Sequence, residues 1–341
     1  MKGEAVTTSQ DENSGPAPHG ADADGTSILS HTGSTPSGMP LSLNRSPHHS
    51  LRHWLMRVGV TSIDLPEGAS IECASMCEHP VIRMIYGAKW TAETADGVQE
   101  FNPGDHGLAL YFGPETRAMK LRVDGSFRVV SINCTSAFAH NFDLPDTRHT
   151  LDRIIPFDPL NQSAVPHDAH RPQDDPLHWL DACEAHLHEK LHAMGLDEPH
   201  GLLEEFEWLC LTDPAANLSA FAEAGGTTRR TLERTISRHW GVTPKFALRR
   251  ARALDMAAAL LGVADSEEEP ELRLRYFDQS HLSREMRHFF DQTPGALQTG
   301  ECPLLRITME IRQARRLEAL AKLSAGEPAP WRDPEAEPDA A

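Results

Sequence analysis

The chain has 341 residues, 39% of them apolar, which suffices for ordinary buried cores and for two domains plus tails. Its 32 basic and 50 acidic residues give a formal net charge of −18, so a uniformly basic coat is excluded and any polyanion must be met by a local patch. No apolar run of membrane-spanning length and no apolar leader after MKGEAVTTSQDENSG are present, which predicts neither a membrane span nor export and makes the cytoplasm the expected location.

Residues 1–50 are rich in Ser, Thr, Gly, Pro and His and poor in large apolar side chains, so a disordered tail is expected. Across 51–160 the texture changes to short apolar runs, VGVTSIDL, SIECASMC, VIRMIYGAKW, GLALYFG, MKLRVDG and FRVVSIN. Pro66-Glu67-Gly68, Asp96-Gly97, Asn102-Pro103-Gly104-Asp105 and Asp124-Gly125 are the expected hairpin turns between them. A small β-barrel or β-sandwich domain follows from this pattern. Residues 161–200 form a Pro- and His-rich connector and a helix, PLHWLDACEAHLHEKLHAM, whose Leu180, Cys183, Leu187, Leu191 and Met194 recur at helical spacing. That stripe is a candidate dimer contact or an intramolecular packing face. Further helices are predicted at 202–211, 218–224, 228–240, 244–261, 279–290 and 303–323, so the region 201–300 is all α and 301–341 is a C-terminal helix with a disordered acidic tail. The six cysteines, Cys73, Cys77, Cys134, Cys183, Cys210 and Cys302, are too scattered for a disulfide framework and are expected to be reduced.

The basic residues are concentrated. Residues 1–200 hold 14 Lys/Arg against 27 Asp/Glu, whereas TTRRTLERTISRHWGVTPKFALRRAR (227–252) holds eight basic residues and one acidic, Glu233. The stretch LSAFAEAGGTTRRTLERTISRHWGVTP (218–244) has the grammar of a helix-turn-helix. A short helix bearing Phe221 and Ala222 stops at Gly225-Gly226, where positive φ costs little, and Thr228 caps the next helix. Leu232, Ile236 and Trp240 make its buried stripe, leaving Arg229, Arg230, Thr231, Glu233, Arg234 and Arg238 outward. An outward Arg reaches guanine O6/N7 or a phosphate, and a Glu accepts from cytosine N4. A solvated basic face on an ordinary helical hairpin is the other reading of the same residues.

A second stretch, YFDQSHLSREMRHFFDQTP (276–294), repeats the pattern. Asp278 is the expected cap, Leu282, Met286, Phe289 and Phe290 the buried stripe, and Gln279, Ser280, His281, Ser283, Arg284, Arg287 and His288 the outward face. Gln pairs bidentately with adenine and Arg with guanine.

YFDQSHLSREMRHFF followed by QTPGAL resembles the second helix-turn-helix of the AraC/XylS transcriptional regulators, and TTRRTLERTISRHWGVTPKFALRRAR resembles their first recognition helix and the start of their connecting helix. The resemblance covers residues 202–298. It implies two recognition helices held by one long helix, 244–261, entering successive major-groove segments about 34 Å apart on one face of a duplex operator. Arg229, Arg230, Thr231 and Arg234 would then serve the first segment and Gln279, Ser280, His281, Ser283 and Arg284 the second, with Thr228, Glu233, Arg238 and Arg287 beside them. It further implies an N-terminal cupin-like β-barrel that senses a small molecule or mediates dimerisation. The expected fold is therefore α+β, a β-barrel or sandwich followed by an all-α region with two helix-turn-helix motifs. The expected function is sequence-specific regulation of transcription by a non-enzymatic protein with no cofactor. Its expected partners are double-stranded DNA, an unidentified small molecule, a second copy and RNA polymerase, with no membrane. In the segment DSEEEPELRLRYF this sequence departs from the family pattern: Pro270 and Glu271 stand where small residues are usual, Arg275 stands at the turn, and Glu267 to Glu269 would repel phosphate. A non-Gly residue in such a turn costs about 1 kcal/mol, which predicts a weaker second motif.

Other constellations compete. His188-Glu189-Lys190-Leu191-His192 is an H-E-x-x-H, so a zinc-dependent hydrolase is the alternative from another class, although nineteen histidines make a chance match ordinary. Cys73, Cys77 and His79 at strand spacing suit a metal or redox sensor, or simply small buried thiols. Trp90, His106, Tyr111, Phe112 and Arg117 are candidate effector contacts, Arg117 for a carboxylate, against the plainer reading of aromatics as core. A ligand-binding interaction protein that has lost DNA binding is the third reading.

Overall fold

The computed structural model describes residues 30–31, 42–138, 146–156, 174–194, 201–264, 272, 276 and 278–324. Of the tail expected at 1–50, residues 1–29 and 32–41 lie outside these residues, as do 157–173 around the expected connector, the end at 325–341, and Pro270, Glu271 and Arg275.

Among the described residues the N-terminal half is one sheet of nine strands: β1 (Ser30–His31), β2 (Ser42–Arg45), β3 (Leu55–Ile63), β4 (Ile71–Ser75), β5 (Val81–Thr94), β6 (Gly97–Phe101), β7 (Gly104–Phe112), β8 (Met119–Cys134) and β9 (Ile154–Pro156). Every pairing is antiparallel. Long strands β5 and β8 form the spine, in register from Val81↔Asn133 to Ala92↔Leu121. Along the outer edge of β8 lie β3 and β4 end to end, and along that of β5 lie β7 and β6. The spine bends where the register shifts between Gly87 and Lys89. Gly87 has φ +91 and a Cβ there would stand 2.8 Å from the Ser126 carbonyl oxygen, so only glycine fits.

Three expectations are corrected here. Asp124-Gly125 is no hairpin: Gly125, at φ +124, bends a single sixteen-residue strand. Among the other expected turns only Asp96-Gly97 joins paired strands, because β3 and β4 share one neighbour and β6 and β7 share another. Ser42–Arg45, assigned by composition to the tail, is a strand beside β3 with Leu43 and Asn44 buried. Its polar sequence is held by tertiary bonds that composition does not reveal, such as Arg57 Nε to Asn44 Oδ1 at 2.6 Å.

Helices follow: α1 (Thr147–Thr150), α2 (Pro176–Met194), α3 (Gly201–Thr212), α4 (Leu218–Ala224), α5 (Arg229–Trp240), α6 (Pro244–Leu260), α7 (Gln279–Phe290), α8 (Pro294–Thr299) and α9 (Pro303–Ser324). The fold is α+β, a sheet region followed by a helical one. Among the described residues no helix is long and apolar enough to cross a membrane. Helix α2 buries Trp179, Leu180, Cys183, Leu187 and Leu191 in a core shared with β3 and β8. Its apolar stripe is thus spent within the monomer and is not the free dimer face that periodicity alone allowed.

Sheet and helices share cores. One cluster runs from Leu43 and Val58 of the sheet through α2 and α3 to Leu232, Ile236 and Trp240 of α5. Another joins α6, α7, α8 and α9 and takes Met76 from the sheet side. Helix α9 bolts these together through Arg312. Its guanidinium is ion-paired with Glu78, donates to Asp255 Oδ1 at 2.8 Å and donates to the Cys210 and Ala251 carbonyls. A buried guanidinium tolerates this position only because carboxylates and carbonyls surround it.

The cysteines divide unexpectedly. Cys73 of β4 and Cys302, just before α9, are joined in a disulfide across 229 residues, which corrects the expectation of six reduced thiols. Cys77, Cys134, Cys183 and Cys210 are free and buried.

Candidate nucleic-acid interface

From the caps of α5 and α7 onward, the two stretches singled out in the sequence fold alike; the segment before α7 lies mostly outside the described residues. In the first, Asn217 caps α4, the chain turns at Gly225-Gly226 with Gly226 at φ +61, and Thr228 caps α5 by accepting from Thr231 N at 3.1 Å. In the second, Asp278 caps α7 by accepting from His281 N at 2.6 Å. Each twelve-residue helix ends on a left-handed residue, Gly241 at φ +71 and Asp291 at φ +57. Each is followed by a threonine that caps a helix with Pro at its first position, Thr243-Pro244 and Thr293-Pro294. Capping oxygens satisfy otherwise orphaned amides, so four separate sequence signals set these boundaries.

Burial sorts the side chains as amphipathic spacing requires. Leu232, Ile236 and Trp240 are buried under α5, and Leu282, Met286, Phe289 and Phe290 under α7. Arg230, Glu233, Arg234 and Arg238 are exposed, as are Gln279, Ser280, Arg284 and Arg287. Thr228 is exposed but engaged in its cap, while Arg229, Thr231, His281 and Ser283 are half-buried. Arg229 leans back on its own helix, donating to Glu233 Oε1 at 2.8 Å, so this guanidinium must exchange partners before meeting a phosphate. His281 sits edge-on to Tyr276, ring centres 5.5 Å apart. His288, exposed at the far end of α7, is held below its usual titration range by partial burial and the nearby Arg249 cation.

Several anchoring residues were not identified in the sequence. Glu285, facing inward from α7, accepts two bonds from Arg249 at 2.8 and 2.7 Å, locking α7 to α6. Arg250 is fully buried and donates to the Glu115 carbonyl at 2.6 Å and the Glu78 carbonyl at 3.0 Å. Two of the eight cations of the basic stretch are therefore structural. The only signal for this was the alternation of Arg249 and Arg250 with the apolar positions of α6, which places neighbouring arginines on different faces.

Both α5 and α7 rest their C-terminal ends on the sheet region. Trp240 stacks edge-on against His79 at 4.4 Å, and Gly241 packs so closely on Leu151 that a Cβ would lie 2.9 Å from its methyl carbon. At the second helix, Ala118 N donates to the Phe289 carbonyl at 2.6 Å and Lys120 meets Asp291 at 3.0 Å. The N-terminal halves, with most of the arginines and the glutamine, stay in solvent.

The other constellations fare differently. His188 and His192 are exposed with rings 6.2 Å apart, and among the described residues no group of three His, Cys, Asp or Glu is placed to hold a metal. Cys73, Cys77 and His79 do not share a strand face: Cys73 is in the disulfide, Cys77 and His79 lie beyond the end of β4, and His79 belongs to the α5 anchor. The candidate effector contacts do not converge. Trp90 and Phe112 face one core, Tyr111 another, and His106 and Arg117 are exposed, because alternate residues of a strand point to opposite sides. Inside the sheet, a space of 40 Å³ beside Arg83, Trp90 and Phe127 is closed by Leu304 and Ile311 of α9. A cleft of 760 Å³ lies instead where β3, α3 and α9 meet, lined by Arg52, His53, Trp208 and Arg315 among others.

No protein-family model matches the chain and no curated protein matches it. Similar solved structures include ToxT from Vibrio cholerae, 9% identical over 72% of this chain and 99% of that chain, with a TM-score of 0.41. A ToxT structure with bound unsaturated fatty acid has a TM-score of 0.39 at 10% identity, over 72% of this chain and 97% of that one. The AraC-like transcriptional activator CuxR has a TM-score of 0.26 at 10% identity, over 68% of this chain and 87% of that one. At these identities and scores the likeness carries no argument about function.

Proposed function

We propose that the protein is a cytoplasmic, sequence-specific DNA-binding regulator of transcription whose helices α5 and α7 read duplex DNA. The observation that supports this most is the double placement of an exposed, cap-defined N-terminal half rich in Arg, Gln and hydroxyls on a helix whose opposite face is buried. In that reading Arg230 and Arg234 contact the first major-groove segment, and Gln279, Ser280 and Arg284 the second, with Thr228, Arg229, Thr231, Glu233, Arg238, His281, Ser283 and Arg287 at the margins. Phosphate contacts by these arginines release counterions and make binding salt-dependent, against a chain whose overall charge is −18. A small molecule or a second copy acting on the sheet region would bias the presentation of the readers, within the limit of its differential affinity for the two states, and the 760 Å³ cleft has room for such a molecule. RNA polymerase is the protein partner that this function implies. The H-E-x-x-H hydrolase reading draws no support from the geometry.

The test is selection of duplexes from a random pool by the purified chain, then titration of the selected duplex at several salt concentrations. A shared motif bound at least about a thousandfold above random duplex supports the reading. Enrichment of no motif, or affinity indifferent to sequence, overturns it.

A further inference from the structure

Of the cysteines, four are sealed. Burial pushes the Cys77 thiol up to about 12, and burial likewise raises Cys134, Cys183 and Cys210, which makes all four poor nucleophiles. Cys73 and Cys302 differ: they are half-buried and border a crevice of 550 Å³ between the sheet and the second helix-turn-helix. Their bond ties edge strand β4 to the turn after α8, beside the surfaces that seat α7. The rest of that seat is slight. Met76 and the half-buried Ala118 supply its apolar part, one backbone bond joins Ala118 to Phe289, and Lys120 and Asp291 form an exposed pair. Exposed pairs and single bonds hold little, so the covalent link is the strongest single tie between the sheet edge and the turn beside α7, while Arg249 and Glu285 lock the helix separately to α6. Helix α5, by contrast, is seated on Trp240 in the shared core and needs no such link.

We propose that Cys73–Cys302 is a thiol–disulfide exchange site, with a dithiol as its co-substrate, that couples redox state to the hold on the second recognition helix. A thiolate of the dithiol attacks one cysteine sulfur and forms a mixed disulfide, while the other cysteine leaves as a thiolate and takes up a proton. The second thiol of the reductant then displaces the remaining cysteine. The dithiol ends as a disulfide, having supplied two electrons and two protons, and the protein carries two thiols. The bond's opening loosens the sheet edge from the turn beside α7, which stays tied to α6 through Arg249 and Glu285, and leaves α5 fixed. Since oxidation holds α7 by its far end with its reading end exposed, the oxidised form is the preorganised reader and reduction weakens DNA binding. This last step rests on the reading of α7 as a DNA-contacting helix.

The full chain is compared oxidised, reduced with dithiothreitol, and as Cys302→Ser and Cys73→Ser, which guard against one variant misfolding. Native alkylation followed by mass spectrometry should label no cysteine in the oxidised chain and two after reduction. Amide exchange across 279–290 should quicken about tenfold on reduction and in both variants, while 229–240 stays unchanged. Affinity for the selected duplex should fall about fivefold or more. Unchanged exchange across 279–290, or a reduced chain that alkylates at neither Cys73 nor Cys302, overturns the exchange site. Faster exchange with equal duplex affinity overturns the coupling to DNA. Faster exchange with no duplex bound in either state upholds the site and removes the DNA reading instead.

Discussion

Helix α5 runs from Arg229 to Trp240 and α7 from Gln279 to Phe290, each of twelve residues with a side-chain cap before it, a left-handed residue after it and a Thr-Pro helix start beyond. What holds them down differs. Beneath α5 lie Leu232, Ile236 and Trp240, all apolar, in a core continuous with the sheet. Beneath α7 lies an apolar stripe interrupted by Glu285, which must be neutralised by Arg249, and the helix ends on Asp291 where α5 ends on glycine. An apolar seat is insensitive to salt, pH and redox state. The seat of α7 adds to its apolar stripe an ion pair, a backbone bond and a neighbouring disulfide, which respond to salt, pH and redox state, so one helix is held by apolar packing and the other in part by adjustable links.

The largest expected effect tests the fixed half. Trp240 is 1% exposed, and Trp240→Ala should lower global stability in urea by about 3–5 kcal/mol, because it opens a cavity beneath α5 and the sheet together. A loss under about 1 kcal/mol would show that α5 is not anchored there.

Next comes the anchoring of α6, which joins α5 and α7, to the sheet side. Arg250 of α6 reaches the backbone of Glu115, whose buried carboxyl accepts from Ser75 Oγ and Cys77 N. Burial raises this carboxyl from its ordinary 4.5 to about 7, so over that interval the folded chain keeps a proton the unfolded chain has lost. The stabilising contribution is therefore full below about pH 4.5 and falls by roughly 3 kcal/mol as pH climbs to 7. Buried His79, held well below its usual range, acts oppositely as it charges in acid, and comparison with Glu115→Gln cancels that background. The stability of the wild type relative to the variant should decline from pH 4.5 to 7, and a difference flat in pH would contradict the raised carboxyl.

Smaller effects sharpen the comparison at the DNA. Arg230→Ala should weaken binding to the selected duplex by about 2 kcal/mol and Arg284→Ala by about 1 kcal/mol, because the adjustable reader fits less firmly. A gel-shift titration giving the reverse order removes the ranking. Smallest of all, Asp291→Gly should relieve the left-handed residue and, after loss of the exposed Lys120 contact, stabilise the chain by about 0.5 kcal/mol in urea. Destabilisation by more than that would show that Asp291 is a seat and not a strain.

The helical half was legible because its signals are local. Thr228 and Asp278 announce helix starts by their own chemistry, and the stripes under α5 and α7 follow from spacing alone, whereas the short helix capped by Thr293 was not anticipated. What stayed hidden depends on partners distant in the chain. Ser42–Arg45 and Ile154–Pro156 are strands only because β3 and β7 lie beside them, and Arg249 and Arg250 look like surface cations until Glu285 and the Glu115 carbonyl are placed. Cys73 and Cys302 stand 229 residues apart, and no local rule pairs them. The candidate effector contacts are scattered for a related reason, since Trp90 and Tyr111 are close in texture yet face separate cores.

The central claim is that α5 and α7 present two reading surfaces to one duplex. Hydroxyl-radical footprinting of the full chain on its selected duplex tests it most directly. Two protected segments about 10 base pairs apart on one face of the helix, the first weakened by Arg230→Ala and the second by Arg284→Ala, are the predicted result. A single protected segment sensitive to neither substitution, or none, would contradict it.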